Sequence, residues 1–190
     1  MSIHRVGRNA VAMLIAALLV AALPGTAAAA TRPTTFGLYM GMSCVGGTSS
    51  DNALVDVVWK GALGRIKVRD TYRASRDGGW WEACGPAKRV LRAGDVVKAT
   101  VNGVTRKLVI PNLKLKMDPA TDTFYGRAPA RSVIRLGWDS SGLDEINVQA
   151  GSRGRWSYSH PGYDIVSGLH AYARWNSAKG DTVTFEGIAP

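Results

Sequence analysis

Residues Gly78–Pro111 read GGWWEACGPAKRVLRAGDVVKATVNGVTRKLVIP, and their outline returns in residues Arg153–Pro190, RGRWSYSHPGYDIVSGLHAYARWNSAKGDTVTFEGIAP. Three pairs of residues align at offsets of 75, 75 and 74 positions: Trp81 with Trp156, Pro86 with Pro161, and Gly94 with Gly168. In both segments an aromatic strand leads through a proline turn and a glycine turn to an alternating apolar strand, and a last strand ends in proline. Self-similarity of this kind is the sequence signature of a repeated structural unit.

Short apolar runs separated by turn residues continue on both sides of these segments. They recur every 8–12 residues and no stretch keeps a helical period, which indicates an all-β fold. Asn102-Gly103 is the strongest short hairpin signal. We expect Phe36–Val45 to form the first strand and the polar segment Gly46–Asn52 to form a loop. The sequence therefore predicts two small antiparallel β-sandwich units in tandem, residues 31–116 and 117–190.

The first thirty residues have the features of a secretory signal peptide. Arg5 and Arg8 form a basic start, Ala10–Leu23 is an apolar run, and the small residues Thr26–Ala30 offer a cleavage site. An uncleaved membrane anchor is the alternative, but the run is shorter than the roughly 20 residues that a spanning helix needs. We therefore expect residues 1–30 to be removed and the protein to be secreted or held at the cell surface, with membrane contact only through an uncleaved signal.

Only two cysteines are present, Cys44 and Cys84, and both follow the predicted signal. An even number of cysteines in an exported chain favours a disulfide. A free thiol nucleophile or a metal site is the alternative, although no CxxC spacing occurs.

The charge of the chain is positive and unevenly distributed. The sequence has 24 Lys and Arg against 14 Asp and Glu, a formal net charge of +10. Residues 31–116 hold 15 Lys and Arg against 6 acidic residues, whereas residues 117–190 hold 7 against 8. Such an asymmetry indicates an anionic partner for the first half. Outside the cell this would be an anionic cell-surface polymer, an acidic glycan or an acidic protein, with nucleic acid unlikely.

The segment RIKVRDTYR, residues 65–73, alternates more regularly than any other. A period of two places four cations on one face of a strand, namely Arg65, Lys67, Arg69 and Arg73. These residues form a candidate anion-binding strip. The alternative is a solvated face whose charges protect an edge strand from pairing with other chains.

Tryptophan is the other suggestive residue type. Trp80 and Trp81 are adjacent, so a strand must point one of them outward. An exposed indole beside cations suits a sugar ring or a protein contact, which makes Trp80 a candidate stacking residue. Trp81 and Trp156, at corresponding places in the repeat, are predicted to lie in the core.

Three segments carry a resemblance to a known kind of repeat: GRAPARSVIRL (126–136), GSRGRWSY (151–158), and YDIVSGLHAYARW with GDTVTFEG in the last strands. They resemble the bacterial immunoglobulin-like or carboxypeptidase-regulatory-like (transthyretin-like) repeats of exported proteins. These motifs are turn and packing signatures. The resemblance therefore implies a β-sandwich fold and no particular chemistry.

No catalytic, cofactor or metal motif accompanies this pattern. His160 or His170 could serve a secreted hydrolase, but nothing resembles a nucleophile elbow or another mechanistic motif. Asp118 and Asp122 are too few ligands for calcium, and an Asx-turn at Asp118-Pro119 is favoured. We predict no catalytic residues, no cofactor and no metal. The expected function is an exported, non-catalytic binding or structural module, with a secreted hydrolase or a secreted inhibitor or effector as alternatives.

Overall fold

The computed structural model describes residues 34–138, 145–160 and 162–190, so the predicted signal peptide lies outside the described residues. Within those ranges the chain is all-β, which confirms the predicted fold class. No helix capable of crossing a membrane occurs in this part of the chain.

Fourteen strands are found in the described residues, seven in each half of the sequence. The first half contains β1 (Thr35–Tyr39), β2 (Cys44–Thr48), β3 (Leu54–Lys60), β4 (Ile66–Arg73), β5 (Trp80–Cys84), β6 (Val96–Val101) and β7 (Val104–Val109). The second half contains β8 (Lys114–Asp118), β9 (Thr123–Arg127), β10 (Val133–Trp138), β11 (Ile146–Gln149), β12 (Arg155–Ser159), β13 (His170–Asn176) and β14 (Thr182–Ile188).

These strands form three sheets. A seven-stranded sheet has the order β11-β10-β13-β14-β1-β2-β5, a three-stranded sheet has the order β12-β9-β8, and a four-stranded sheet has the order β4-β3-β6-β7. Strand β1 pairs with β14 in parallel, whereas its other neighbour, β2, is antiparallel. The parallel pair joins strands from the two halves of the sequence into one sheet.

The strand order of the first half is repeated in the second. Strands β1-β2-β5 correspond to β8-β9-β12, and β4-β3-β6-β7 correspond to β11-β10-β13-β14. The turns correspond as well: the amide of Gly94 donates to the carbonyl of Ile110, and the amide of Gly168 donates to that of Ala189. Both glycines have positive φ, 82° and 85°. The sequence repeat is thus a structural repeat of three strands facing four.

A tryptophan opposite a glycine is the packing signature of each repeat. Trp81 pairs with Gly47 and Trp156 with Gly126 across antiparallel strands. A Cβ on Gly47 would lie 3.0 Å from Trp81 Cζ2, and one on Gly126 would lie 2.8 Å from Trp156 Cζ2. Each would also lie 1.9 Å from a carbonyl oxygen of the neighbouring strand. Only glycine leaves room for the indole, and both tryptophans are buried as predicted.

All three sheets contribute to one hydrophobic core. The parallel partners Leu38 and Val183 are both buried and point to the same face of the seven-stranded sheet. The three- and four-stranded sheets therefore pack on that face, and β8 contacts β14 there. The opposite, outer face of the seven-stranded sheet is directed to solvent.

The division into two tandem units is not confirmed. Residues Thr31–Pro190 form one compact unit, and a single cluster of buried residues extends through it. The predicted boundary between residues 116 and 117 also falls inside β8.

Two local expectations about the N-terminal strands were wrong. The segment 36–45 is not one strand, because a turn containing Gly41, with φ of 86°, separates β1 from β2. Gly46 and Gly47 lie inside β2 rather than in a loop. Glycines are typical of a loop, but here the lack of a side chain lets the β2 backbone contact the rings of the two tryptophans of β5.

The predicted hairpin and disulfide are confirmed. Asn102 and Gly103 both have positive φ, 50° and 78°, and connect β6 to β7 in the two-residue turn expected for Asn-Gly. Cys44 and Cys84 are direct cross-strand partners in β2 and β5, and their sulfurs are bonded at 2.07 Å.

Candidate functional site

Four cations share the solvent side of the three-stranded sheet. Lys114, Arg127 and Arg155 are direct partners across β8, β9 and β12, and so form one row perpendicular to the strands. Lys116 follows on β8, in the next row, where its partner is Tyr125. We call these four cations with Tyr125 the cationic face.

Alternation along each strand produces this surface. In β8 the side chains of Leu115 and Met117 are buried, so Lys114 and Lys116 must point to solvent. In β12 the burial of Trp156 turns Arg155 outward in the same way. The core therefore fixes the direction of the cations.

The cationic face lines an open cavity of about 670 Å³, to which Gln149 and Ser157 also contribute. Neighbouring strands are about 4.8 Å apart, so the three cations of the row are close together. Like charges directly opposite each other in a sheet are destabilising.

No carboxylate of the described residues lies within ion-pair distance of these four cations. Asp118, two residues beyond Lys116, uses its carboxylate in a turn instead. Its oxygens accept hydrogen bonds from the Ala120 amide at 3.0 Å and the Thr121 hydroxyl at 3.0 Å, which is the predicted Asx-turn. The repulsion within the row is thus not relieved by the parts of the chain described.

The structure does not bring the four residues of the predicted strip onto one surface. A register shift between Trp59 and Lys60 makes a bulge in β4 and turns Lys67 inward. The Lys67 ammonium lies 2.7 Å from Asp95 Oδ2 and 4.9 Å from the centre of the Trp59 ring. Asp95 is buried and also accepts a hydrogen bond from Trp59 Nε1 at 3.0 Å. Lys67 is therefore partly buried and paired with groups of the interior, Asp95 and Trp59.

The other strip residues are exposed but separated. Arg69 and Arg73 flank Thr71, whose hydroxyl donates to Asp56 on the neighbouring strand at 2.6 Å, so a carboxylate lies between the two cations. Arg73 also donates to the carbonyl of Asn52 at 3.1 Å. Anion binding by this strip stays a prediction, with fewer available charges than the sequence indicated.

Arg65 has neighbours that the sequence did not indicate. It lines a small cavity of about 230 Å³ with Lys67 and with cations of the loop after β5, Lys88, Arg89 and Arg92. The guanidinium of Arg89 donates to the carbonyl of Lys67 at 2.6 Å, which attaches this loop to β4.

Burial and the Asp70 carboxylate raise the pKa of Tyr72, which is also in β4.

Trp80 is 47% exposed while Trp81 is 1% exposed, so the expected division between the two indoles is confirmed. Trp80 lies on the outer face of the seven-stranded sheet rather than beside the strip. A stacking role for Trp80 stays a prediction.

The disulfide has a counterpart in the second repeat. Thr123 and Ser159 occupy the positions of Cys44 and Cys84, and their hydroxyl oxygens are 2.8 Å apart. Within the described ranges, Cys44, Cys84 and Glu82 are the group with metal-like spacing. Both sulfurs of that group are committed to the disulfide, and it offers no thiolate ligand.

The two histidines considered for a hydrolase lie in different surroundings. His160 is packed among aromatic rings, 5.5 Å from Trp138 and 5.8 Å from Tyr163 between ring centres. His170 is exposed at the start of β13. The hydroxyl oxygen of Ser159, which precedes His160 in the chain, lies 2.8 Å from that of Thr123.

Reasoning from the sequence missed the cationic face as a unit. The alternation of Lys114 and Lys116 in LKLKM was visible, but Arg127 and Arg155 belong to a half with almost no net charge. Only the pairing of three strands brings these residues together.

No family model matches the sequence, and no curated protein matches it. Among solved structures, the chain is similar to the BSP domain of a biofilm-associated protein, with 9% identity over 84% of this chain and 29% of that one and a TM-score of 0.35. It is also similar to a tetra-tandem repeat in the extending region of a large adhesion protein, with 16% identity over 83% and 50% of the two chains and a TM-score of 0.28. A third is the Group B Streptococcus pullulanase SAP, with 8% identity over 81% and 22% and a TM-score of 0.29.

This chain spans half or less of the length of these three structures. TM-scores below 0.5 support no argument about function, and the three proteins differ in kind. The strand order of three facing four is itself that of an immunoglobulin-like β-sandwich. The narrower assignment to carboxypeptidase-regulatory-like repeats stays a prediction.

Proposed function

We propose that the protein is a non-catalytic binding module of the cell exterior and that its cationic face holds an anionic polymer. The observation that carries the proposal is the row of Lys114, Arg127 and Arg155 in direct cross-strand register. A row of like charges costs stability. An extended anion lying across the three strands would relieve that cost by placing negative groups over all three cations.

Two further features support the proposal. The cavity at the face is open, and its lining residues come from all three strands of the sheet, so a ligand there can contact all three. The disulfide between Cys44 and Cys84 favours an oxidising compartment, where acidic polysaccharides and wall polymers are the common polyanions. A secreted or cell-surface location is therefore part of the proposal.

The test is binding to polygalacturonate at low and high salt, with dextran as the neutral polymer. The decisive variant is the triple substitution Lys114→Thr, Arg127→Thr and Arg155→Ser. The matched control is Arg65→Ser, Arg69→Ser and Arg73→Ser, which removes the same charge from the predicted strip. Exposed ion pairs contribute about 0.2–1 kcal/mol each, so we expect the first variant to bind roughly tenfold more weakly at low salt.

The control variant should retain most of the affinity, and salt should weaken binding of the unaltered protein. Equal losses in both variants would mean that only net charge matters, which would overturn the proposal. A larger loss in the control would move the site to the strip. The first variant should also melt at an equal or higher temperature, because the repulsion within the row is removed.

A further inference from the structure

A second cavity, of about 290 Å³, lies on the outer face of the seven-stranded sheet, on the other side of the molecule from the cationic face. The first repeat contributes a glycine and two aromatic residues to its lining, and the second contributes polar side chains. The residues are Gly37, Tyr39 and Trp80 from the first repeat, and Arg135, Arg174 and Asn176 from the second. We call it the tryptophan cleft. It spans the parallel β1–β14 pair that joins the two halves.

The indole of Trp80 packs against two glycines. A Cβ on Gly46 would lie 3.2 Å from Trp80 Cζ2, and one on Gly37 would lie 3.7 Å from Cζ3. The ring therefore rests against the backbone of β2 and β1 and is nearly half exposed. Tyr39, the next outward residue on β1, is equally exposed. Two aromatic side chains fixed on a sheet provide a flat apolar surface that costs little conformational entropy on binding.

The polar side of the cleft is also held in place. The carboxylate of Glu145 pairs with Arg135 through one oxygen and with Arg174 through the other, the latter at 3.2 Å. The same carboxylate accepts a hydrogen bond from the hydroxyl of Tyr172, and the guanidinium of Arg174 lies 5.1 Å from the centre of the Tyr172 ring. Two guanidinium groups thus share one carboxylate, which leaves one positive charge uncompensated in this group.

From these contacts we infer that the tryptophan cleft binds a pyranose ring of a glycan and prefers a ring that carries a carboxylate. The apolar face of the ring stacks on Trp80, because the C–H groups of a pyranose complement the negative face of an indole. The hydroxyls of the ring reach the Asn176 amide and the guanidinium groups. The ring carboxylate is paired by the charge that Glu145 does not neutralise.

This site is independent of the proposed anionic-polymer site. The two surfaces share no residue, and they recognise different features of a ligand. Binding in the cleft requires a ring that can stack, whereas the cationic face requires only a row of charges.

The experiment is a glycan array carrying matched acidic and neutral oligosaccharides, the galacturonate with the galactose series and the glucuronate with the glucose series. It is probed with the full chain carrying Arg127→Thr, so that the cationic face is weakened, and with the same chain carrying Trp80→Ala in addition. We expect retention of at least one acidic series, with a loss of about five- to tenfold on Trp80→Ala, the range of an aromatic contact. Trp80→Phe should restore part of the binding.

Leu63→Ala is the control, because Leu63 is a fully exposed apolar residue of the turn after β3 and belongs to neither proposed surface. It should leave array binding unchanged, and melting temperatures should show that all variants are folded. An array on which no glycan distinguishes Trp80→Ala from its parent would overturn the inference, as would an equal loss with Leu63→Ala. If the inference fails while polygalacturonate binding still depends on Arg127, the proposed function stands without the second site.

Discussion

Strands β1-β2-β5 and β8-β9-β12 occupy equivalent places in the two repeats, and their core-facing positions are alike. Both have the tryptophan and the opposed glycine, with apolar residues around them. Their solvent-facing positions differ throughout: Thr35, Thr48 and Trp80 in the first correspond to Lys114, Arg127 and Arg155 in the second. Packing constrains one face of a strand and leaves the other free. The recurring residues therefore report on the fold, and the differing ones on function.

The largest expected effect tests whether the two buried tryptophans are equivalent. Trp81→Ala and Trp156→Ala should each lower the free energy of unfolding by about 3–5 kcal/mol, because each removes a fully packed indole. Urea denaturation followed by circular dichroism measures both. Neither indole N–H has a hydrogen-bond partner in the described structure, so Trp81→Phe and Trp156→Phe should cost less than the alanine variants.

Losses that differ by more than about 2 kcal/mol between the two alanine variants would contradict the equivalence, since both remove the same contacts. Because the buried residues form one cluster, both variants should shift the same unfolding transition.

A smaller effect is expected from exchanging the cross-strand links of the two sheets. Cys44→Thr with Cys84→Ser gives the first sheet the hydroxyl pair of the second, and should cost about 3–4 kcal/mol for a loop of 40 residues. Thr123→Cys with Ser159→Cys gives the second sheet a disulfide across a separation of 36 residues. It should stabilise by up to about 4 kcal/mol in the same chain-entropy model.

Thiol titration and denaturation of the oxidised and reduced forms measure this exchange. The two thiols introduced by Thr123→Cys and Ser159→Cys should oxidise under the conditions that oxidise Cys44 and Cys84. If the introduced thiols stayed reduced there, the two pairs of positions would not be geometrically equivalent.

The smallest expected effect concerns the pairing of charges. On the outer face of the seven-stranded sheet the Glu145 carboxylate pairs with Arg135 and Arg174, whereas the cations of the cationic face have no carboxylate within ion-pair distance in the described residues. The hydrogen bond from Tyr172, together with Arg135 and Arg174, holds the pKa of Glu145 below its usual 4.5. Burial and the same hydrogen bond raise the pKa of Tyr172. A carboxylate whose pKa is lower in the folded state stabilises fully above its unfolded pKa, and this contribution is lost as the pH falls through the folded pKa.

Melting temperatures of the native protein and of Glu145→Gln, followed from neutral pH to well below the usual carboxyl pKa of 4.5, measure this contribution. The native protein should be the more stable at neutral pH, and the difference should shrink below pH 4.5, because both forms then lack the charge. A difference that stays constant over the whole acid range would show that the carboxylate charge contributes nothing.

Much of the fold could be predicted from the sequence because its signals are local. The alternation of DVVKATV, the Asn102-Gly103 turn and the recurrence of Trp81 at Trp156 each report on a single strand or hairpin. The placement of Gly46 and Gly47 could not be predicted, because their role depends on contact with β5, more than thirty residues away.

The candidate site could be predicted only in part, for the same reason. A perfect alternation placed Lys67 with Arg65 and Arg69, but one extra residue in β4 and the buried carboxylate of Asp95 directed it inward. The cationic face depends on the register of three strands, and that register is set by core packing rather than by the charged residues themselves. The net charge of each half of the sequence therefore did not predict the position of the cationic face.

The parallel pairing of β1 with β14 has a consequence for how the protein is made. Strand β1 pairs with β14, and the Phe36 amide donates to Asp181 across 145 residues, so this neighbour of β1 is synthesised long after it. Strand β2 can pair with β1 early and β5 can pair with β2, but the other edge of β1 stays open until the β13–β14 hairpin has been synthesised. An open edge invites pairing with other chains. Export of the unfolded chain, as expected for a secreted protein, would postpone that exposure to the far side of the membrane.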